Sequence, residues 1–409
     1  MKVLFTPNNA RQHLYPMVPL AWACRAAGHH VQVAVPPAMA SVVREVGLPG
    51  VAVGRDIPPP GLTFQGLTAR FHNHARFPQD WPQAVHLLTD DQRDLLEQWG
   101  RNAARGARAT VDDMISYARR WRPDIVIYDV AGFAGAVTAA VLDVPSVRHL
   151  TGYGLRPMEL RPSATPEPLP EYADLFRRYD VPVRMAPTLT IDPSPPSLRF
   201  AVPSPWREVR YVPFNGPGEV PTWLPDWLRQ SHRRVCVTWG YGVVRTLLAL
   251  GPAALDPLRD AIAALSGLDV DIVLATTPEQ LALLGELPQN LRPAVSVPLQ
   301  HLLPYCDLIV HQAGDGTALT AAAMGVPQLA ITNKPDQALT SDRLAAIGAA
   351  LHLRYQDLRY DVARQDVIRS AATKLLSAGR HRQAARRLRH QIEQQPSPAD
   401  VVPLLEAVA

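Results

Sequence analysis

Short, nearly unbroken apolar runs alternate with longer amphipathic ones along most of the chain. This is the pattern of strands buried on both faces by helices. Residues 3–6 predict a strand ended by Pro7, residues 16–27 a helix, and residues 31–35 a second strand. Pro16 and Pro19 suit a helix's first turn and Gly28 its end, so the three form a parallel βαβ unit. A helix over 90–121 leads into the strongest apolar strand of this half, 124–129, and small residues Gly132 and Gly135 open the next helix near Phe133. Strands at 234–238, 271–275, 295–297, 308–311 and 328–331 alternate with helices in the second half, again a parallel pattern. Helices over 381–394 and 401–407 close the chain, the first carrying a basic stripe that reads as a solvated face.

Two stretches lack this periodicity. Residues 54–98 gather Phe64, Phe71, Phe77 and Trp81, and residues 157–205 are rich in proline, with a short helix near 172–179. Long irregular segments in a compact domain tend to carry function. These aromatics, with Phe133, fit either a wall for a large apolar acceptor or side chains packed on their own domain. The Pro/Gly-rich stretch 212–218 marks a boundary. It divides the chain into an N-terminal domain of 1–215, a second of 216–380 and C-terminal helices of 381–409.

Composition narrows the function. The chain has 409 residues, 47% of them apolar and 19% charged, with a formal charge of +4. No Lys/Arg block interleaved with aromatics favours nucleic acid, and no 18-residue apolar run favours a membrane. Cys24, Cys236 and Cys306 are odd in number and far apart, so they read as buried thiols in a reducing compartment. With no signal-peptide pattern at residues 1–7, the expected location is the cytoplasm. Residues 7–13 contain no glycine, which weighs against a dinucleotide fingerprint.

The most informative stretch is 307–344, DLIVHQAGDGTALTAAAMGVPQLAITNKPDQALTSDRL. A strand ending at His311 breaks into a turn of small residues, and from Thr317 an Ala-rich helix runs to Gly325. A strand, a glycine turn and a helix N-terminus make an anion site, because the first helical amides lack internal partners. Gly314 and Gly316 leave room for a phosphate, and Asp336-Gln337, after the next strand, suits sugar hydroxyls.

This stretch resembles the donor-binding signature of family 1 glycosyltransferases, and most closely the actinobacterial enzymes that attach nucleotide-activated deoxysugars to macrolide and polyketide aglycones. The similarity extends over 13–23, HLYPMVPLAWA, over the interdomain segment 212–216, VPFNG, and over 396–398, PSP. It implies a GT-B fold: two doubly wound, Rossmann-like parallel-sheet α/β domains facing each other across a cleft, the acceptor on the first and the nucleotide-sugar on the second. It further implies inverting transfer from a dTDP-sugar to a hydroxyl or ring nitrogen of an apolar natural product, with the C-terminal segment crossing back onto the first domain. The glycine loop with Gly240 and Tyr241 would approach the donor phosphates, and the turn at Val297-Pro298 the base. His311 would contact phosphate, with Ala313, Gly314, Asp315, Gly316 and Thr317 as the amide cradle, although a histidine at a strand terminus reads equally as a satisfied core residue. The chain departs from the signature at Gln312, Ala313 and Asp315. Asp315 reads either as the cap of the helix or as a negative charge beside the pyrophosphate.

Glycosyl transfer needs a base for the acceptor hydroxyl. His13 follows the first strand at the ligand-binding edge of its sheet and titrates near neutrality. Asp129, ending another strand of that sheet, either orients His13 or caps the next helix. With no metal-ligand spacing, no metal or other cofactor is expected, and helix amides with a side-chain cation would stabilise the leaving diphosphate. The competing functions are a non-catalytic binding or auxiliary protein with a degenerate donor motif, and a sugar-nucleotide epimerase. A second copy of the chain and a helper protein remain open as partners.

Overall fold

A computed structural model describes residues 1–57, 66, 69–70, 76–152, 157–163, 165, 167–200, 205–229, 232–242 and 251–409. Phe64 and Phe71 fall outside them. Two all-parallel sheets organise the chain. The first holds β1 (Lys2–Thr6), β2 (His30–Val35), β3 (Gly50–Ala52), β4 (Ile125–Asp129), β5 (Ser146–His149), β6 (Leu189–Asp192) and β7 (Trp206–Glu208), in the order β3-β2-β1-β4-β5-β6-β7. The second holds β8 (Arg234–Thr238), β9 (Asp271–Thr276), β10 (Leu291–Val295), β11 (Leu308–His311), β12 (Gln328–Thr332) and β13 (Ala350–Arg354), in the order β10-β9-β8-β11-β12-β13. Val3, Phe5, Ile125 and Ile127 face one apolar layer of the first sheet, and Leu4, Val126 and Tyr128 face the other. Burial on both faces is why these strands read as continuous apolar runs.

In each sheet the chain winds outward in one direction, returns, and winds outward in the other. The strand order therefore switches between β1 and β4 in the first sheet and between β8 and β11 in the second. A crevice opens at the carboxyl ends of the strands at such a point.

The sequence reading did not place β3, β5, β6 and β13, and other elements differ from it in their bounds. The helix over 90–121 is two helices, Asp90–Arg108 and Val111–Trp121. They part where Arg55 donates to the Ala109 carbonyl and Gly54 donates to the Asp113 carboxylate. The strand expected at 295–297 is Leu291–Val295, because Ser296 turns the chain at φ 56°. The helix expected from residue 16 is preceded by a one-turn helix, Arg11–Leu14, which contains His13.

Near its end the chain joins both halves. Helix Gly379–Gln394 packs on the second-domain helix Asp315–Met324, and helix Pro398–Val408 packs on helix Val18–Ala26. Val401, Val402 and Leu405 complete the first-domain core. Among the described residues, no helix is long and apolar enough to cross a membrane.

Candidate active site

The two switch points look onto one cavity of about 950 Å³ between the domains. From the first sheet, His13 follows β1 and Asp129 ends β4, so the chain returns them to neighbouring positions although 116 residues separate them. His13 Nδ1 contacts Asp129 Oδ2. The aspartate is fully buried, and its Oδ1 accepts from the Ala131 amide at 3.1 Å. It does not cap the following helix, whose N-cap is Gly132 with no side-chain cap bond. A proton on the Nδ1 that contacts the carboxylate would leave Nε2 as the nitrogen to take another, and His13 lines the cavity.

The second sheet contributes the loop after β8 and the turn after β11. Gly240, at φ 63°, and Tyr241 line the cavity, as do Val297 and Pro298. Gly314, Asp315, Gly316 and Thr317 line it at the start of helix Asp315–Met324, and Asp336 and Gln337 at the start of helix Pro335–Ala346. Two helix N-termini thus point amides at one region. The interdomain segment braces the first of them: Tyr211 Oη donates to the Gly316 carbonyl at 3.1 Å, and Asn215 Nδ2 donates to Thr320 Oγ1 at 3.1 Å.

Some expected roles do not match the geometry. His311 is fully buried and does not line the cavity. Its Nε2 pairs with Gln328 Oε1 at 3.0 Å and its Nδ1 accepts the Ala313 amide at 3.0 Å. Burial lowers its pKa to about 4, so it is a neutral brace for the turn and not a phosphate contact. Ala313 is also buried away from the cavity, its amide already used. Gln312, between them, is the residue that faces inward. A side chain alternates faces along an extended segment, so a brace at 311 places its successor in the cleft.

Asp315 does not cap its helix. The N-cap is Gly314, and Asp315 is the first helical residue, two positions earlier than expected. Its Oδ1 accepts from Thr340 Oγ1 at 3.4 Å. Burial, and next the Asp336 carboxylate, raise its pKa to about 7.

Of the aromatics expected to face an acceptor, Trp81 and Phe133 line the cavity but Phe77 does not. Phe77 packs edge-on to Trp81 and shares an apolar cluster with Phe200 and Leu339, so it joins the domains. Arg343 covers the same contact, bonded to Asp80 at 3.1 Å and stacked on Phe200 at 3.5 Å. Helix Asp90–Arg108 presents Trp99, Ala103, Gly106 and Ala107, whose small residues leave the space open. The sequence reading also missed Asn8, Gln12, Thr277, Gln280, Asn333 and Lys334 on the wall. Each follows the carboxyl end of a strand, the signal that would have found them. Among the described residues, no three His, Cys, Asp or Glu side chains are grouped to hold a metal ion.

Residues 22–240 match the family model described as Erythromycin biosynthesis protein CIII-like, N-terminal domain, and residues 259–408 match its C-terminal counterpart. The chain belongs to this family. It is 34% identical over 436 residues to the aclacinomycin-T 2-deoxy-L-fucose transferase of Streptomyces galilaeus, covering 99% of this chain and 96% of that one. The structure of spinosyn rhamnosyltransferase SpnG with thymidine diphosphate superposes with a TM-score of 0.79 at 32% identity, over 99% of this chain and 100% of that one. Its complex with the spinosyn aglycone gives 0.78 at 32% identity, again over 99% and 100%. This CIII-like chain is accordingly a glycosyltransferase with the GT-B fold.

The turn of this glycosyltransferase also holds a stability prediction. Ala313 sits at φ 62°, in the left-handed region. That conformation costs an L-residue about 1–2 kcal/mol. Glycine would remove the strain but lose about 0.4–1 kcal/mol through a freer unfolded chain. Ala313→Gly is expected to raise stability by up to about 1 kcal/mol, read from the denaturant midpoint at unchanged slope. A lower midpoint would show that the Ala313 methyl group is needed for packing.

Proposed function

We propose that this glycosyltransferase moves a deoxysugar from a thymidine-diphosphate donor to a hydroxyl of an apolar aglycone, with inversion and without a metal. The observation that carries this reading is the His13–Asp129 pair of one domain, opening on the same cavity as the two helix N-termini of the other. A diphosphate held by the amides after Gly314 would have Gln312 and Lys334 on the wall beside it. Asp336 and Gln337 would take sugar hydroxyls. His13 Nε2 would remove the acceptor proton as the hydroxyl oxygen attacks the anomeric carbon from the face opposite the leaving diphosphate. Asp129 would stabilise the imidazolium that forms. Attack from that face inverts the anomeric centre. Trp81, Trp99, Phe133 and the small residues of helix Asp90–Arg108 would enclose the aglycone. Support for the donor and acceptor classes comes from SpnG, solved with thymidine diphosphate and with an aglycone.

Thermal unfolding with nucleotide tests the donor half. Thymidine diphosphate at about 100 times its dissociation constant should add roughly 2.7 kcal/mol of stability. The shift should be equal with and without EDTA, since helix amides need no bridging cation. No shift with thymidine diphosphate would reject the donor assignment. A shift abolished by EDTA would reject metal independence alone.

A further inference from the structure

The charges on the cavity wall divide between the domains. The second domain contributes Asp315, Asp336 and Lys334, whereas the described residues of the first contribute Arg55 and Arg105 and no carboxylate. Both arginines are exposed, so they stand at the mouth of the cavity. The fold brings these like charges to one rim. Gly54 sits at φ 66°, and a Cβ on it would meet the Ala109 carbonyl at 2.2 Å, so only glycine lets the loop after β3 close on the end of helix Asp90–Arg108. The Arg55 amide then donates to that carbonyl at 3.3 Å, about one helical turn beyond Arg105. Carboxylates close by in the chain are engaged elsewhere. Asp56 accepts from the Ala38 amide at 3.0 Å, and Asp113 accepts from the Gly54 amide at 3.0 Å. Arg105 donates to the neutral Asn102 Oδ1 at 2.6 Å, and among the described residues neither guanidinium has an acidic partner.

We infer that Arg55 and Arg105 bind a carboxylate on the aglycone, which makes the acceptor a hydroxy acid with an apolar body. The inference rests on the sugar-nucleotide reading above and names its acceptor class. A guanidinium offers paired N–H donors that match the two oxygens of a carboxylate, and it keeps its charge throughout the physiological pH range. A bound anion offsets the repulsion between the two cations, whereas an ester in its place leaves it. Asp315 and Asp336 on the opposite wall repel an acid, so the charges orient the molecule with its carboxylate at the first-domain rim and leave its hydroxyl for His13.

Isothermal titration of the protein saturated with thymidine diphosphate tests this without turnover. The probes are 6-hydroxy-2-naphthoic acid, 4′-hydroxybiphenyl-4-carboxylic acid and their methyl esters, which lack the charge and keep the apolar body. The wild-type protein should bind at least one acid about tenfold tighter than its ester, the combined worth of two exposed ion pairs. That advantage should fall to about threefold when salt rises from about 50 mM to about 0.5 M, because exposed charges are screened. In the double variant Arg55→Gln with Arg105→Gln the acid and ester should bind within about twofold of each other, while Arg55→Lys with Arg105→Lys should recover part of the preference. A role for Arg105 confined to the C-terminal dipole of its helix would lower stability and leave the acid-to-ester ratio unmoved, which would overturn its assignment. Esters bound as tightly as their acids by wild type, or neither acid bound, with thymidine diphosphate bound normally, overturn the inference. An acid preference that persists in the glutamine variant places the anion on another cation and overturns it as well. Wild-type protein that binds no thymidine diphosphate sinks the sugar-nucleotide reading itself, and the inference with it.

Discussion

His13→Ala should lower kcat by roughly 10² to 10⁴, the usual worth of a positioned general base. Thymidine diphosphate affinity should stay within a few-fold, because the two functions sit on different sheets. His13 belongs to the segment after β1, whereas the helix N-termini and Gln312 belong to the segments after β11 and β12. The measurement is turnover of a dTDP-sugar with an aglycone the wild-type enzyme accepts, alongside nucleotide titration of the same variant. Asp129→Asn should lower the same parameter, since the amide removes the charge that stabilises the imidazolium and can impose the wrong tautomer. Turnover near wild type in His13→Ala would show that the proton leaves by another route. Loss of nucleotide binding would place His13 in the donor site or in the fold.

Glu159→Ala should destabilise the first domain by about 3–5 kcal/mol, the cost of leaving a buried charge without its partner. Arg148, on β5, is 6% exposed and Glu159 is 0% exposed. The guanidinium contacts the Glu159 carboxylate and approaches the Tyr128 hydroxyl at 3.5 Å. Met158 and Leu160, on either side of Glu159, line the cavity, so the ion pair ties this wall of the cavity to the sheet. The double variant Arg148→Met with Glu159→Leu removes both charges and should lose much less stability than Glu159→Ala alone. Chemical denaturation of the three proteins checks this. A Glu159→Ala midpoint near wild type would mean that Arg148 finds water or another acceptor. A double variant as unstable as the single one would mean that packing matters at this site and charge does not.

The sequence by itself determined the central strands of both sheets and their parallel arrangement, but not β3, β5, β6 or β13, which are very short or carry polar residues such as Arg148, Asp192 and His352. An apolar run such as Ile125–Asp129, buried on both faces, looks the same in the sequence as in the fold. Its local signals also located the carboxyl ends of strands, and with them His13, Asp129, Gly314 and Asp336, because ligand-facing groups of such sheets follow strand ends. Tertiary structure decided which neighbours faced the cleft. His311 and Gln312 are adjacent, and the bond from His311 to Gln328, 17 residues away on β12, holds the first in the core while the second stays on the cavity wall. Phe77 and Trp81 are equally aromatic, yet Leu339 and Phe200 bury Phe77 between the domains while Trp81 keeps an edge on the cavity. Asp315 could serve as a cap by composition alone. Its actual surroundings, Gly152 from one domain and Thr340 and Asp336 from the other, meet only when the two sheets close on each other. Strand and helix follow from the local pattern, whereas the direction of a side chain in the cleft is set by residues on other elements, 17 positions away for His311 and Gln328 and on the other domain for Phe77 and Leu339.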